Sequence, residues 1–194
     1  MGRTINTQIK GEDRRPSNFL ERNSSDSDDK SKYASHPEGL KIVLLRPRIP
    51  QNTGSVARMC AATGCSLDIV EPFFEIDDKK LKRAGLDYWP YLDVFTYKSI
   101  GEWLEARKEH ARWFVEINAP QSYTDVTYAK ADMLIFGDEQ DGVPEEWLKK
   151  EPSRHVAIPQ KNVRSLNLAT SVGIVTYEAL RQLDWYSTQA PLTK

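Results

Sequence analysis

The sequence predicts an α/β fold, a mostly parallel sheet with helices on both faces. Three observations lead there. Leu40–Leu45 is an apolar run broken only by Lys41, as expected of a strand buried on both faces. Short apolar runs then alternate with helix-patterned stretches down to the C-terminus, the order of a parallel sheet built from strand–helix units. Three of those runs lead straight into loops that combine Gly or Pro with Asn, Glu, Arg or Ser, and α/β folds keep their chemistry in loops at strand ends.

Taken in order, residues 1–38 are polar and poor in large apolar side chains, with a Ser/Asp/Lys run at Ser24–Lys32. Such a stretch buries too little to offset its ordering entropy, so a disordered polar tail is expected. Arg3, Lys10, Arg14, Arg15 and Arg22 give it some basic character. Glu12, Asp13 and Glu21 argue against an organelle transit peptide, which is acid-poor. One folded domain is expected over 39–187, followed by a short tail over 188–194.

Within that domain Leu40–Leu45 is the first strand and Asn52–Thr63 the first helix. Asn52 or Thr53 suits its start and Gly64 its end. Leu67–Val70 is the second strand, Asp77–Ala84 a short basic helix stopped near Gly85, and Asp93–Tyr97 a third strand. Ile100–His110 reads as a helix leading into the strand Arg112–Ile117. Met133–Phe136 and His155–Ile158 complete the strands. Leu166–Leu183 is the longest helix, with Leu168, Val172, Val175, Ala179 and Leu183 in one stripe. No internal repeat is visible.

Composition excludes several classes. The 194 residues carry 27 basic and 28 acidic side chains, so no global field attracts nucleic acid, and an RNA partner would need a local basic patch. Cys60 and Cys65 lack a second pair and a nearby His, which does not make a zinc site; reduced thiols are expected. No apolar run approaches membrane-spanning length and the N-terminus lacks a signal-peptide segment. A soluble intracellular protein is expected, cytoplasmic with an organelle not excluded. The dinucleotide and phosphate-loop glycine motifs and the Gly-x-Ser-x-Gly elbow are missing. His36, His110 and His155 show no triad logic.

The first motif is Pro50–Arg58. Asn52-Thr53-Gly54 places backbone N–H groups at a helix start, which suits an anion, and Arg58 one turn later can grip phosphate with two donors. The plainer reading is a capped helix with an exposed Arg. In the second motif, Ile135–Pro144, Gly137 follows a strand where a missing side chain lets a ligand approach the backbone. Glu139 projects from that loop, while Gly142 and Pro144 fix the turn and start a helix. Asp138, Glu139 and Asp141 read as a solvated acidic loop rather than a metal site. The third motif joins Ile158-Pro159 to Arg164-Ser165-Leu166-Asn167-Leu168, three polar side chains at the mouth of an apolar helix. Ser165 as a cap is the plainer alternative. Lys79, Lys80, Lys82 and Arg83, with Tyr88 and Trp89 for base stacking, form a candidate RNA surface. A solvated helix face and core aromatics are the alternatives. Glu178 and Arg181 read as an i, i+3 pair.

In this order the three motifs resemble those of the SPOUT class of methyltransferases. Lys82–Tyr88 and Tyr177–Gln182 narrow the resemblance to the compact TrmL-like tRNA ribose 2′-O-methyltransferases, which modify the wobble nucleotide of the anticodon. The similarity covers about 39–187. It implies a C-terminal trefoil knot that forms the S-adenosylmethionine pocket, a homodimer that completes the active site, a tRNA substrate, and no metal and no membrane. By that resemblance the cofactor lies against Glu116, Ile117, Asn118, Gly137 and Ile158, with further contacts from Ser165, Leu166 and Leu168. Asn52, Arg58, Glu139, Ser165 and Asn167 match the polar catalytic positions. RNA contact falls to Lys79, Lys80, Lys82, Arg83, Tyr88 and Arg164.

The implied reaction is attack of a ribose 2′-hydroxyl on the sulfonium methyl, governed by positioning. Arg58 is the family's proposed activator of that hydroxyl. A guanidinium is effectively always protonated, so holding phosphate and stabilising the alkoxide stands beside the role of base. Asp138 and Asp141 make the second loop more acidic than the family pattern, which predicts altered docking of RNA phosphates. The rival functions are a methyltransferase of another tRNA or rRNA position, a catalytically silent RNA-binding scaffold, and an α/β phosphohydrolase using the acidic loop.

Overall fold

The computed structural model describes residues 39–75 and 92–185. The expected tail 1–38, the helix Asp77–Ala84, the tail 188–194 and the RNA-surface candidates Lys79, Lys80, Lys82, Arg83, Tyr88 and Trp89 lie outside the described residues. Seven parallel strands form one sheet: β1 (Lys41–Leu45), β2 (Ser66–Val70), β3 (Val94–Tyr97), β4 (Arg112–Val115), β5 (Gln121–Ser122), β6 (Met133–Phe136) and β7 (His155–Ala157). Their order is β3-β2-β1-β6-β4-β7-β5. The helices are α1 (Pro50–Thr63), α2 (Ile100–Ala106), α3 (Glu145–Lys150) and α4 (Leu168–Gln182).

The strands at the centre of the sheet, β1, β2 and β6, are buried at every position because helices cover both faces. On one face Ile42, Leu44, Leu67, Leu134 and Phe136 pack with Val56, Ala57 and Cys60 of α1 and Val172, Val175 and Ala179 of α4. On the other, Val43, Leu45, Phe114 and Ile135 pack with Trp103 of α2 and Trp147 of α3. The two indoles stack at 5.6 Å. Register places Lys41 opposite both Ser66 and Met133, so the three central strands begin together.

That second face buries a charge. Asp68 on β2 is fully buried and accepts from Trp103 Nε1 at 2.9 Å and from Arg107 Nε and Nη2 at 2.9 and 3.0 Å. Each carboxylate oxygen therefore has a donor, the condition under which a buried carboxylate is tolerated. Arg107 is also the C-cap of α2, which explains why that helix stops at Ala106 short of the expected His110.

Three boundaries differ from expectation. Helix α1 begins at Pro50, whose fixed φ suits the first helical position, and its N-cap Ile49 makes no side-chain cap. Asn52 and Thr53 are therefore buried first-turn residues, not caps. Helix α4 begins at Leu168, with Asn167 as its N-cap accepting from Thr170 N, so Ser165 does not cap it. The strand after α2 ends at Val115, not Ile117. Gly64 closes α1 as expected, with φ 74° and its N–H on Cys60 O.

The small-residue face of α1 is divided: Ala57 is fully buried in its own core, whereas Ala62 and Gly64 are exposed. Cys60 and Cys65 are free and buried, and burial pushes the Cys65 thiol to about 11. Glu178 and Arg181 do pair, at 2.8 and 2.9 Å. Among the described residues no helix is long and apolar enough to cross a membrane.

Candidate functional site

A cleft of about 340 Å³ opens at the C-terminal ends of β1, β4, β6 and β7, within the range of small-molecule sites. This is the end of an open parallel sheet where ligands bind. Its apolar walls are Ile49, Val115, Ile117, Phe136, Ile158, Leu166 and Leu168. Its polar groups come from all three motif loops.

Those loops are tied together by one chain of side-chain hydrogen bonds. Asn167 Nδ2 donates to Asn52 Oδ1 at 2.9 Å, and Asn52 Nδ2 donates to Glu139 Oε1 at 2.9 Å. Glu139 also accepts from the backbone N–H of Arg48 at 2.9 Å and of Ile49 at 3.3 Å. The carboxylate therefore stands at the start of α1, the place expected for an external anion, and it is supplied by the chain itself. Asn167 completes the sequence by capping α4.

Gly137 is indispensable for a different reason from the one expected. A Cβ there would fall on the backbone of Gly142 and Val143, because the loop folds back on itself and Asp138 bridges to Gly142. The missing side chain admits the protein's own turn rather than a ligand. Gly142 has φ 71°, and its backbone lies against Glu116, which accepts from Val143 N at 2.7 Å. Burial pushes the Glu116 carboxyl above its usual range, offset only in part by the amides of Val143 and Ile117.

The acidic loop is solvated only in part: Asp141 is exposed as expected, but Asp138 is not. Asp138 is buried, and its Oδ1 accepts from the amides of Gln140 at 2.7 Å and Asp141 at 2.8 Å. Arg48 pairs with Asp138 at 3.3 Å and with Asp141 at 3.1 Å, while its guanidinium lies 4.1 Å from the centre of the Phe73 ring. One guanidinium from the loop after β1 thus offsets one of the two carboxylate charges. Burial alone would raise Asp138; the Asp141 amide, Arg48 and the Gln140 amide outweigh it and hold the carboxyl below its usual range. Among the described residues no group of three or more His, Cys, Asp or Glu is gathered to hold a metal.

The structure brings most of the candidate residues to this cleft. Asn52, Glu139, Ser165 and Asn167 line it, as do Glu116, Ile117, Gly137, Ile158, Leu166, Leu168 and Arg164. Asn118 and Arg58 do not; Arg58 is exposed on α1. Arg164 Nη2 reaches Gln140 O at 3.5 Å, bridging the third loop to the second. Sequence reasoning missed Arg48, Gln140, Gln160 and Ser171. Of these Gln140 and Gln160 carried a signal, Gln140 lying inside the second motif and Gln160 directly following Ile158-Pro159. Gln160 Oε1 is buried at the cleft and has no hydrogen-bond partner.

Comparison with known proteins adds to this geometry. A family model described as the SpoU rRNA Methylase family matches residues 39–177. The tRNA (cytidine(34)-2′-O)-methyltransferase of Yersinia pestis is 40% identical over 154 residues, spanning 75% of this chain and 95% of that protein. Its counterpart in Saccharophagus degradans is 39% identical over 145 residues, spanning 73% and 94%. Among solved structures, one described as giving structural insights into the 2-OH methylation of C/U34 on tRNA superposes with TM-score 0.70 at 41% identity, over 77% of this chain and 99% of that one. The SpoU methyltransferase AviRb from Streptomyces viridochromogenes, in complex with the cofactor AdoMet, gives TM-score 0.67 at 25% identity, over 81% and 65%.

Proposed function

The chain belongs to the SpoU rRNA Methylase family, and from that membership we propose that it methylates the ribose 2′-hydroxyl of nucleotide 34 in tRNA, with S-adenosylmethionine as cofactor. The observation that carries the reading is the hydrogen-bond chain Asn167–Asn52–Glu139, which assembles three separate loops into one cleft.

The residues present fit the cofactor. The cleft pairs apolar walls with an unpartnered buried acceptor, Gln160 Oε1, and with polar side chains at its rim. When bound, S-adenosylmethionine supplies a methyl group on a positively charged sulfur. Glu116, Ile117, Gly137, Ile158, Leu166 and Leu168 would hold it. Asn118 lies two residues past Glu116 and does not line the cleft, and no role at the cofactor is assigned to it.

The arrangement refines the catalytic set. Three donors hold the Glu139 carboxylate, two on Oε1 and one on Oε2, and fix its orientation between the β1–α1 segment and Asn52. Glu139 is a positioning residue, and Asn52 and Asn167 share that work. Ser165 and Arg164 remain to face the ribose and its phosphate. Arg58 projects from α1 away from this cleft, which fits a homodimer in which it serves the partner's site. There it would grip phosphate and stabilise the developing alkoxide, needing no proton loss. We include in the same reading a C-terminal trefoil knot made by the segment around β7 and α4, and action in the compartment that holds the tRNA, the cytoplasm or an organelle. Pairing of Asp138 and Asp141 with Arg48 offsets part of the expected repulsion of RNA phosphate.

The test is methyl transfer from radiolabelled S-adenosylmethionine to total tRNA, with the label mapped to a nucleotide. Label on the 2′-oxygen of nucleotide 34, lost in Arg58→Ala, is the expected result. Cofactor binding with label on another RNA only would move the substrate. Cofactor binding without methyl transfer to any RNA would favour a silent scaffold.

A further inference from the structure

Gln160 is the one buried polar atom at the cleft that the protein leaves unsatisfied. Its side-chain oxygen is inaccessible to solvent and meets no donor, whereas Asn52, Glu139 and Asn167 beside it are all paired. A buried acceptor without a donor costs free energy that a ligand N–H can recover. On the reading that the cleft takes S-adenosylmethionine, we propose that Gln160 accepts a hydrogen bond from the exocyclic 6-amino group of the cofactor's adenine and thereby selects adenine over other purines.

The chemistry of the donors decides the assignment. The cofactor offers an ammonium, ribose hydroxyls and the adenine amine. An ammonium is a full charge and matches a carboxylate, and the cleft provides Glu116 for that purpose. Ribose hydroxyls donate and accept, so they match groups that can do both, such as Ser165 or Ser171. The adenine amine only donates, from the edge of a flat ring that itself needs apolar walls. Gln160 fits that role. It follows Ile158 and Pro159 at the end of β7, on a cleft whose walls include Ile158, Val115 and Leu168. A site built to bond a ligand N–H discriminates strongly against an analogue lacking it, because the protein acceptor is then left bare.

The experiment measures binding, not turnover. S-adenosylhomocysteine and its analogue with hydrogen in place of the 6-amino group are titrated calorimetrically into wild type, Gln160→Met and Gln160→Glu. Wild type is expected to prefer the adenine ligand by about tenfold. Gln160→Met keeps the shape and removes the acceptor, so it should bind the two ligands within about twofold of each other. Gln160→Glu keeps an acceptor and should keep the preference, which also guards against a loss of preference caused by misfolding. A wild type that binds both ligands equally, or a Met variant that still prefers adenine, overturns the inference. Failure of every form to bind either ligand, wild type included, would overturn the cofactor reading itself and this inference with it.

Discussion

Replacing Glu139 by Gln separates architecture from chemistry. The carboxylate accepts from Arg48 N at 2.9 Å on Oε2, and from Ile49 N at 3.3 Å and Asn52 Nδ2 at 2.9 Å on Oε1. Gln has the same shape but one acceptor oxygen. With that oxygen in the Oε1 position, Ile49 and Asn52 stay served and the new NH₂ faces the Arg48 N–H, donor against donor. The reverse orientation sets it against two donors, so the first is preferred. The variant loses one bond to a charged acceptor, about 1.5–3 kcal/mol, and the other two fall from charge-assisted to neutral strength. Glu139 is half-buried, so solvent screens part of this, and about 2–3 kcal/mol in total is expected. For a chain of this size that is a fall in Tm of about 4–12 °C. Calorimetric melting and S-adenosylhomocysteine binding should decline together, since the same bonds hold the cleft together. A Gln variant as stable as wild type to within about 0.5 kcal/mol, yet devoid of methyl transfer, would refute the positioning role. The carboxylate would then act on the substrate itself.

Other expectations follow from the same geometry. Gly137→Ala drives a Cβ into the backbone of Gly142 and Val143 and should cost about 4 kcal/mol or more in denaturant unfolding. Gly54→Ala, with nothing within 4 Å of the added carbon inside α1, should gain up to about 1 kcal/mol. Because the Asp138 carboxyl is held below its usual value, it stabilises the fold above its unfolded pKa, and this is lost as pH falls through the folded one. Arg48→Met removes part of that depression, so its loss of stability between about pH 5 and 2 should begin at higher pH than in wild type, as read by acid titration of near-UV circular dichroism. Cys60 and Cys65 are buried with raised thiol values, Cys65 at about 11, so a thiol reagent at pH 8 should react only as fast as the protein unfolds. Rapid native labelling of either would contradict their burial.

Much of the fold is legible because buried strands and long amphipathic helices leave patterns that few alternatives can produce. Leu40–Leu45 is apolar apart from Lys41 because α1 and α4 cover one face of β1 and α2 and α3 the other. The stripe from Leu168 to Leu183 reads as one helix because it lies along the core. Elements too short for a period are silent. Gln121–Ser122 makes a two-residue strand on the sheet edge, defined by its partners on β7 rather than by its own residues. Glu145–Lys150 is little more than a turn and a half, held by Trp147 stacking on Trp103. The start of α1 was misplaced by two residues for a local reason. Asn52 looks like a cap, and Pro50 ahead of it is the better first-turn residue.

The site divides along a different line. Which loops would meet was readable, since Gly, Pro and polar residues crowd each strand end. Which way each polar group would turn was not, because its partner lies far off in the chain. Asp138 and Asp141 look like a solvated acidic surface until Arg48, about ninety residues earlier, comes within 3.3 and 3.1 Å of them. Glu139 looks like an acid or base projecting from a loop until three donors from the β1–α1 segment close around it. Gly137 invites a ligand until the turn from Asp138 to Gly142 occupies the space. In each case the protein uses its own groups where sequence reasoning placed solvent, substrate or a ligand. The residue left over is the informative one. Gln160 drew no attention beside motif residues, yet its oxygen is buried without a partner, and an acceptor that folding leaves unserved points to a ligand more directly than one that folding has already satisfied.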